Sequence, residues 1–290
     1  MSELDRQESR LDNIQSVEPI LAAMKTISMG SQQAALNQRN RVRAYFSKLS
    51  QIQSFVSYQL KMTKTVVRSE SSVDERMVLL AIGSERGLCG QFNRLVLDAT
   101  VEKLDLLRQL GWKVELWVLG KRLLRLFQSA KIPVAYFESL SITSLPSYPL
   151  AVRLSWDWLK RYENQTIDRV EVLFYGLKGK QIQTVMPAIA DLESGSFAEM
   201  EEDWVHPIIE TDPSHLIQRI LEQVVISQTY SCLLESAAAE HSARFRLMDE
   251  ATQNSQRLIE QLQMELLTGK RQVITREMQE LAVGAGLLKR

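Results

Sequence analysis

The chain has 290 residues, 45% of them apolar, and its 35 basic and 35 acidic side chains cancel. That balance leaves no basic footprint for a nucleic-acid groove and no general attraction to acidic lipid. The two cysteines, Cys89 and Cys232, are far apart in sequence and form no disulfide framework, zinc pattern or CxxC pair, which fits a reducing compartment.

The polar start MSELDRQESRLDN has no secretory pattern, and no apolar run approaches the roughly 20 residues that cross a bilayer. A membrane role is therefore expected only through partners. From Ile14 onward a stripe steps three and four: Ile14, Val17, Leu21, Met24, Ser28, Ser31, Ala35, Gln38, Val42, Tyr45, Leu49, Ile52, Val56. A sustained 3.5-residue period predicts a coiled coil, and the small residues in its middle allow close approach of a partner helix. Pro19 interrupts the pattern and predicts a kink, or a helix that begins after it.

Residues 83 to 213 hold six of the seven prolines and eight of the twelve glycines, and so read as a compact, turn-rich domain. Strand and helix alternate through it. Strands are expected at Met77–Ile82, Val114–Leu119, Ile132–Phe137, Val170–Tyr175 and Ile182–Ile189. Helices are expected at Gln91–Leu110, Arg122–Ala130 and Leu150–Tyr162. The early part predicts βαβ units. The last two strands are joined by a tight turn around Gly176 and Gly179.

Asp212 and Pro213 mark the start of a second long helix, and no proline or glycine follows between Ser214 and Thr268. Its stripe is Phe245, Met248, Thr252, Ser255, Ile259, Leu262, Leu266. At 1.5 Å per residue the uninterrupted run reaches roughly 80 Å, more than a small domain can bury, so it needs the N-terminal helix as its mate. The fold class is thus α/β: a long antiparallel coiled coil of N- and C-terminal helices plus a Rossmann-like α/β domain with a mostly parallel sheet. The divisions are 1–68, 76–210 and 212–290.

Chemistry is hard to find. The loop Gly83-Ser84-Glu85-Arg86-Gly87-Leu88-Cys89-Gly90 follows a strand and opens a helix, where an anion could sit. It lacks both GxxxxGK[ST] and GxGxxG, so a tight turn with close backbone packing is the preferred reading. Cys89 has no histidine of a recognisable motif to act as base. His206, His215 and His241 offer no ligand spacing, and no GxSxG is present. The acidic residues Glu199, Glu201, Glu202 and Asp203 read as a solvated loop. Lys121, Arg122, Arg125 and Lys131, with apolar residues between, read as an amphipathic helix on a sheet. No catalytic residue, cofactor or metal is expected.

Three ordered motifs resemble the gamma subunit of F-type rotary ATP synthases, the central stalk. They are Ser84-Glu85-Arg86-Gly87-Leu88-Cys89-Gly90-Gln91-Phe92-Asn93, Ala243-Arg244-Phe245-Arg246-Leu247-Met248-Asp249-Glu250-Ala251-Thr252-Gln253-Asn254, and Ile274-Thr275-Arg276-Glu277-Met278-Gln279-Glu280 followed by Gly284-Ala285. Ala23-Met24-Lys25 matches more loosely. The resemblance implies a non-catalytic rotor that couples ion flow through a membrane ring to ATP synthesis or hydrolysis at alpha and beta subunits. The implied partners are alpha, beta, epsilon and the c-subunit ring. The implied location is peripheral, on the cytoplasmic face of a bacterial plasma membrane or on a thylakoid membrane. Partner contacts are implied at Met24, Lys25, Glu85, Arg86, Cys89, Lys270, Arg271, Gln272, Thr275 and Glu277, and the tip Leu281–Leu288 is implied to turn in an apolar bearing. Arg271-Gln272-Val273-Ile274-Thr275 has one residue fewer than the family's Arg-Gln-x-x-Ile-Thr catch, and Gln91 stands where the family has a second glycine. These departures predict a divergent branch, such as an alternative ATP synthase. A coiled-coil scaffold with an α/β head is the competing reading and predicts a stable homodimer or filament. A small α/β enzyme predicts nucleotide or phosphate binding by the isolated chain.

Overall fold

The computed structural model describes residues 3–59, 75–187 and 212–284. The acidic loop Glu199–Asp203, His206 and the end of the tip, residues 285–288, lie outside the described residues. The chain divides into two compact bodies, Met1–Met29 with Arg244–Arg290, and Gly30–Ala243. Both divisions fall inside long helices, α1 (Glu3–Gln59) and the C-terminal helix Pro213–Gly284.

In the larger body, β1 (Arg76–Ile82), β2 (Lys113–Leu119), β3 (Tyr136–Glu138), β4 (Arg169–Gly176) and β5 (Gly179–Met186) form one sheet ordered β3-β2-β1-β4-β5. The first three pairings are parallel, and β5 pairs antiparallel with β4. Side chains alternate across the sheet. Val78, Leu80 and Ile82 join Trp158 of α4 (Tyr148–Glu163) and Leu233 of the C-terminal helix, which is α5. Met77, Leu79 and Ala81 join Val96 of α2 (Phe92–Gln109) and Phe127 of α3 (Lys121–Ser129). Covered on both faces, β1 reads as a continuous apolar run because both of its faces are core.

Two elements differ from expectation. The strand foreseen at Ile132–Phe137 shrinks to three residues. Lys131 has φ +56, and Pro133 has no N–H to donate to a ladder. The chain therefore enters the sheet late, with Ala135 N–H donating to Leu116 O at 2.8 Å. The strand foreseen at Ile182–Ile189 starts earlier, at Gly179, and ends at Met186, and residues 188–189 lie outside the described ones. Gly176 and Gly179 pair across the turn, with Gly179 at φ +105.

The N-terminal helix does not begin after Pro19, because α1 already runs from Glu3. One missing backbone donor is tolerated in a helix of 57 residues whose Pro19 ring faces solvent. The buried stripe of α1 also differs. Ile14, Leu21, Met24, Ser28, Ser31, Ala35, Gln38, Val42, Leu49 and Val56 are buried or half-buried as expected, whereas Val17, Tyr45 and Ile52 are exposed. The companion track is Leu4, Leu11, Glu18, Lys25, Gln32, Arg39 and Phe46, every one half-buried. Its period is the same, but it lies on the other side of the shared track. Four of its seven members are charged or amide side chains, so an apolar search passes over it. The expected stripe on α5 is buried or half-buried at all seven positions.

Candidate functional site

The glycine loop forms where β1 ends and α2 begins. A Cβ on Gly83 would lie 2.3 Å from Leu123 Cβ and 2.9 Å from Asn93 Oδ1, so only glycine lets α3 pass this close. Asn93 is the hub of the loop. Its Oδ1 accepts from Ser84 N–H at 2.9 Å, and its Nδ2 donates to Ser84 Oγ at 2.7 Å and to Cys89 Sγ at 3.2 Å. Ser84 Oγ in turn donates to the Arg86 carbonyl. The Glu85 carboxylate accepts from the backbone N–H of Lys121 at 3.1 Å and of Leu140 at 3.0 Å, and lies 3.5 Å from Lys121 Nζ. It ties the ends of three segments at the carboxyl edge of the sheet.

Of the three loop residues singled out in the sequence, Glu85 and Cys89 therefore face inward; their side chains are buried. Arg86 faces solvent. Beside it, Leu88 is held at φ +60 with 56% of its surface exposed. A leucine in left-handed backbone, showing its side chain to water, departs from two local preferences at once.

In the smaller body α1 and α5 pair. Lys25 Nζ lies 2.6 Å from Asp249 Oδ1 and sits 5.8 Å from the centre of the Phe245 ring. Gln256 donates to Glu18 at 3.2 Å, and Lys270 Nζ meets Glu8 Oε1 at 2.7 Å. Positions rise along one helix as they fall along the other, so the pair is antiparallel. Met24 is half-buried, and its carbonyl accepts from Ser28 Oγ at 2.7 Å. A Cβ on Gly269 would lie 2.7 Å from Leu4 Cδ2, near the first described residue of α1.

Beyond that point α5 continues without cover. Every residue from Lys270 to Leu281 is exposed, including Arg271, Gln272, Thr275 and Glu277. Thr275 Oγ1 turns back to the Arg271 carbonyl at 2.8 Å. Ile274, Met278 and Leu281, spaced four and three apart, fall on one stripe and are 55%, 66% and 73% exposed. The structure thus gathers the C-terminal candidates on one bare helical stretch, with Met24 and Lys25 in the same body and the loop candidates in the other. Sequence reasoning missed the seam charges Glu18 and Arg39 because they sit on a track beside the one that was sought, where apolar periodicity does not point. Among the described residues no helix is long and apolar enough to cross a membrane, and no group of three acidic, histidine or cysteine side chains could hold a metal.

A family model described as ATP synthase matches residues 3–288. The ATP synthase gamma chain of Nautilia profundicola is 26% identical over the whole of both chains. That of Amoebophilus asiaticus is 27% identical over 97% of each. Among solved structures, the chain resembles one in the rotational-state-3 structure of the Euglena gracilis mitochondrial ATP synthase (TM-score 0.58, 13% identity), covering 99% of this chain and 96% of that one. It also resembles one in the central stalk and c-ring structure of the Tetrahymena thermophila enzyme (TM-score 0.54, 19% identity), covering 80% of this chain and 99% of that one. The chain belongs to the ATP synthase gamma family, the non-catalytic central-stalk subunits of that rotary complex.

Proposed function

We propose that this chain is the turning shaft inside a ring of alternating alpha and beta subunits, with its α/β domain seated on epsilon and a c-subunit ring. The observation that carries this reading is the uncovered end of α5. An isolated helix of that length is marginal in water, and here it shows an apolar stripe, Ile274, Met278 and Leu281, that nothing in the described chain covers. A surrounding ring of partners would cover it.

The mechanism is differential contact. A shaft that is not threefold symmetric presents a different face to each of three surrounding sites. Rotation then biases each site between open and closed, because a ligand or partner shifts an equilibrium only by binding its states unequally. An apolar stripe suits this work, since few hydrogen bonds have to break at each step. Lys270, Arg271, Gln272, Thr275 and Glu277 flank the stripe as polar contacts, and Met24 and Lys25 belong to the same shaft. At the loop, Arg86 and Leu88 touch a partner, while Glu85 and Cys89 hold the loop in shape. The complex sits peripherally on a membrane, at the cytoplasmic face of a bacterial plasma membrane or on a thylakoid. Departures at Gln91 and Arg271–Thr275 from the family pattern support a divergent branch.

Co-expression with candidate alpha and beta subunits, followed by pull-down and ATPase assay with and without this chain, tests the reading. Formation of a complex whose hydrolysis depends on the chain is expected. Self-dimerisation without joining the ring would overturn it in favour of a scaffold, and nucleotide binding by the chain alone in favour of an enzyme.

A further inference from the structure

We propose that Glu235 is the key that fixes the rotational register of α5 within the α/β domain, so that torque passes between helix and sheet without slip. The proposal rests on the rotor reading above. Its starting point is a smooth stretch of α5 just past Leu233 and Leu234, which are buried in the core on the sheet. Next to Glu235 the helix runs Ser236, Ala237, Ala238 and Ala239, all buried, with Ser242 following. Small side chains let backbones approach but offer few knobs to interlock, and interlocking ridges are what resist turning of one packed helix surface over another. This stretch therefore adds little to holding the helix's angle, and a buried polar group can add what it lacks.

Glu235 is the one buried charged side chain in this stretch, where Glu240 is only half-buried. Its Oε1 accepts from Gln181 Nε2 of β5 at 2.9 Å. Its Oε2 accepts from Arg43 of α1 at 3.3 Å and lies 3.6 Å from Arg39 Nη1. One carboxylate therefore binds the edge strand and the partner helix together. Space has been cleared for it. A Cβ on Gly176, at the end of β4, would come within 2.8 Å of Glu235 Oε1 and 2.7 Å of Gln181 Nε2. Turning α5 by one residue, about 100°, would withdraw the carboxylate from both groups of donors and leave its charge buried and uncompensated. Buried ionic groups contribute little net stability, and fixing register is the best-attested use of them.

The test uses the assembled complex in sealed vesicles. Hydrolysis without load and ion pumping against an increasing gradient are measured for wild type, E235Q and Q181A. Wild type must first join the ring and pump, and if it does not, the rotor reading fails rather than this one. For E235Q the expected result is unloaded hydrolysis within two-fold of wild type, with at least a three-fold loss of ions pumped per ATP under load. Q181A removes only the link to the sheet and is expected to show the same pattern more weakly. If E235Q does not assemble, Q181A decides alone. A loss confined to the unloaded rate would point to a structural role and overturn the proposal, as would assembled variant complexes that pump under load as wild type does.

Discussion

At the residue scale, the glycine loop is held by one side chain. Asn93 is buried and supplies three hydrogen bonds to Ser84 and Cys89. Replacing it by leucine leaves the buried Ser84 N–H without a partner, and such a group costs about 1–3 kcal/mol. Asn93→Leu is therefore expected to lower the denaturation midpoint of the isolated chain by a clear margin, and a midpoint equal to wild type would show that the loop is organised by something else. Cys232 gives a second prediction. Burial, followed by the nearby Glu235 carboxylate, pushes its thiol up to about 12. Alkylation at pH 8 should spare it in the native protein and reach it in denaturant, as mass spectrometry of digests would show. Because the folded value lies above the ordinary one, this thiol's contribution to stability is complete below about 9 and is lost as pH rises towards about 12.

At the scale of elements, two positions of the expected α1 stripe make opposite forecasts. Ala35 is fully buried, and Ala35→Leu is expected to cost about 1–3 kcal/mol by overpacking. Ile52 has the right period on the other track but is 47% exposed, so Ile52→Gln should change stability by no more than about 0.5 kcal/mol. Equal losses at the two sites would mean that the seam is wrongly drawn. Between β2 and α4, Arg161 donates to Glu115 at 2.7 Å and lies 5.8 Å from the Trp117 ring. The hydrogen bond from Arg161 holds the Glu115 carboxyl below its usual value, against the effect of burial. Its contribution is present above the ordinary carboxylate value and disappears as pH falls through the lowered one. Since the pair is part-exposed, Glu115→Gln should lose less than about 1 kcal/mol at neutral pH. That small loss should vanish in acid, which denaturant melts at a series of pH values would resolve.

For the whole molecule, the uncovered end of α5 separates folding from function. Ile274→Asp with Met278→Asp changes residues that bury nothing within the described chain. Stability of the isolated chain should move by no more than about 0.5 kcal/mol, while association with alpha and beta subunits should weaken at least ten-fold in titrated pull-downs. Loss of both together would show that this stretch folds back on its own chain. Unchanged association would remove the apolar stripe from the contact.

The amino-acid sequence by itself determined the class of fold. A run free of proline and glycine marks α5, a sustained 3.5-residue period marks α1, and the continuous apolar run at Met77–Ile82 marks a strand covered on both faces, because backbone preference and side-chain periodicity are local properties. The start of α5 at Pro213 and a tight turn with close backbone packing in the glycine loop were legible for the same reason, whereas which of its glycines packs closely was not. Only the tertiary structure added the polar companion track to the α1 seam, since Lys25 and Arg39 become seam residues through Asp249 and Glu235, more than 190 positions away. It also turned Glu85 and Cys89 inward and left Arg86 and Leu88 outside, although all four lie in one short motif. A side chain's direction there depends on donors from Lys121, Leu140 and Asn93, and a pattern read along the chain does not contain that information.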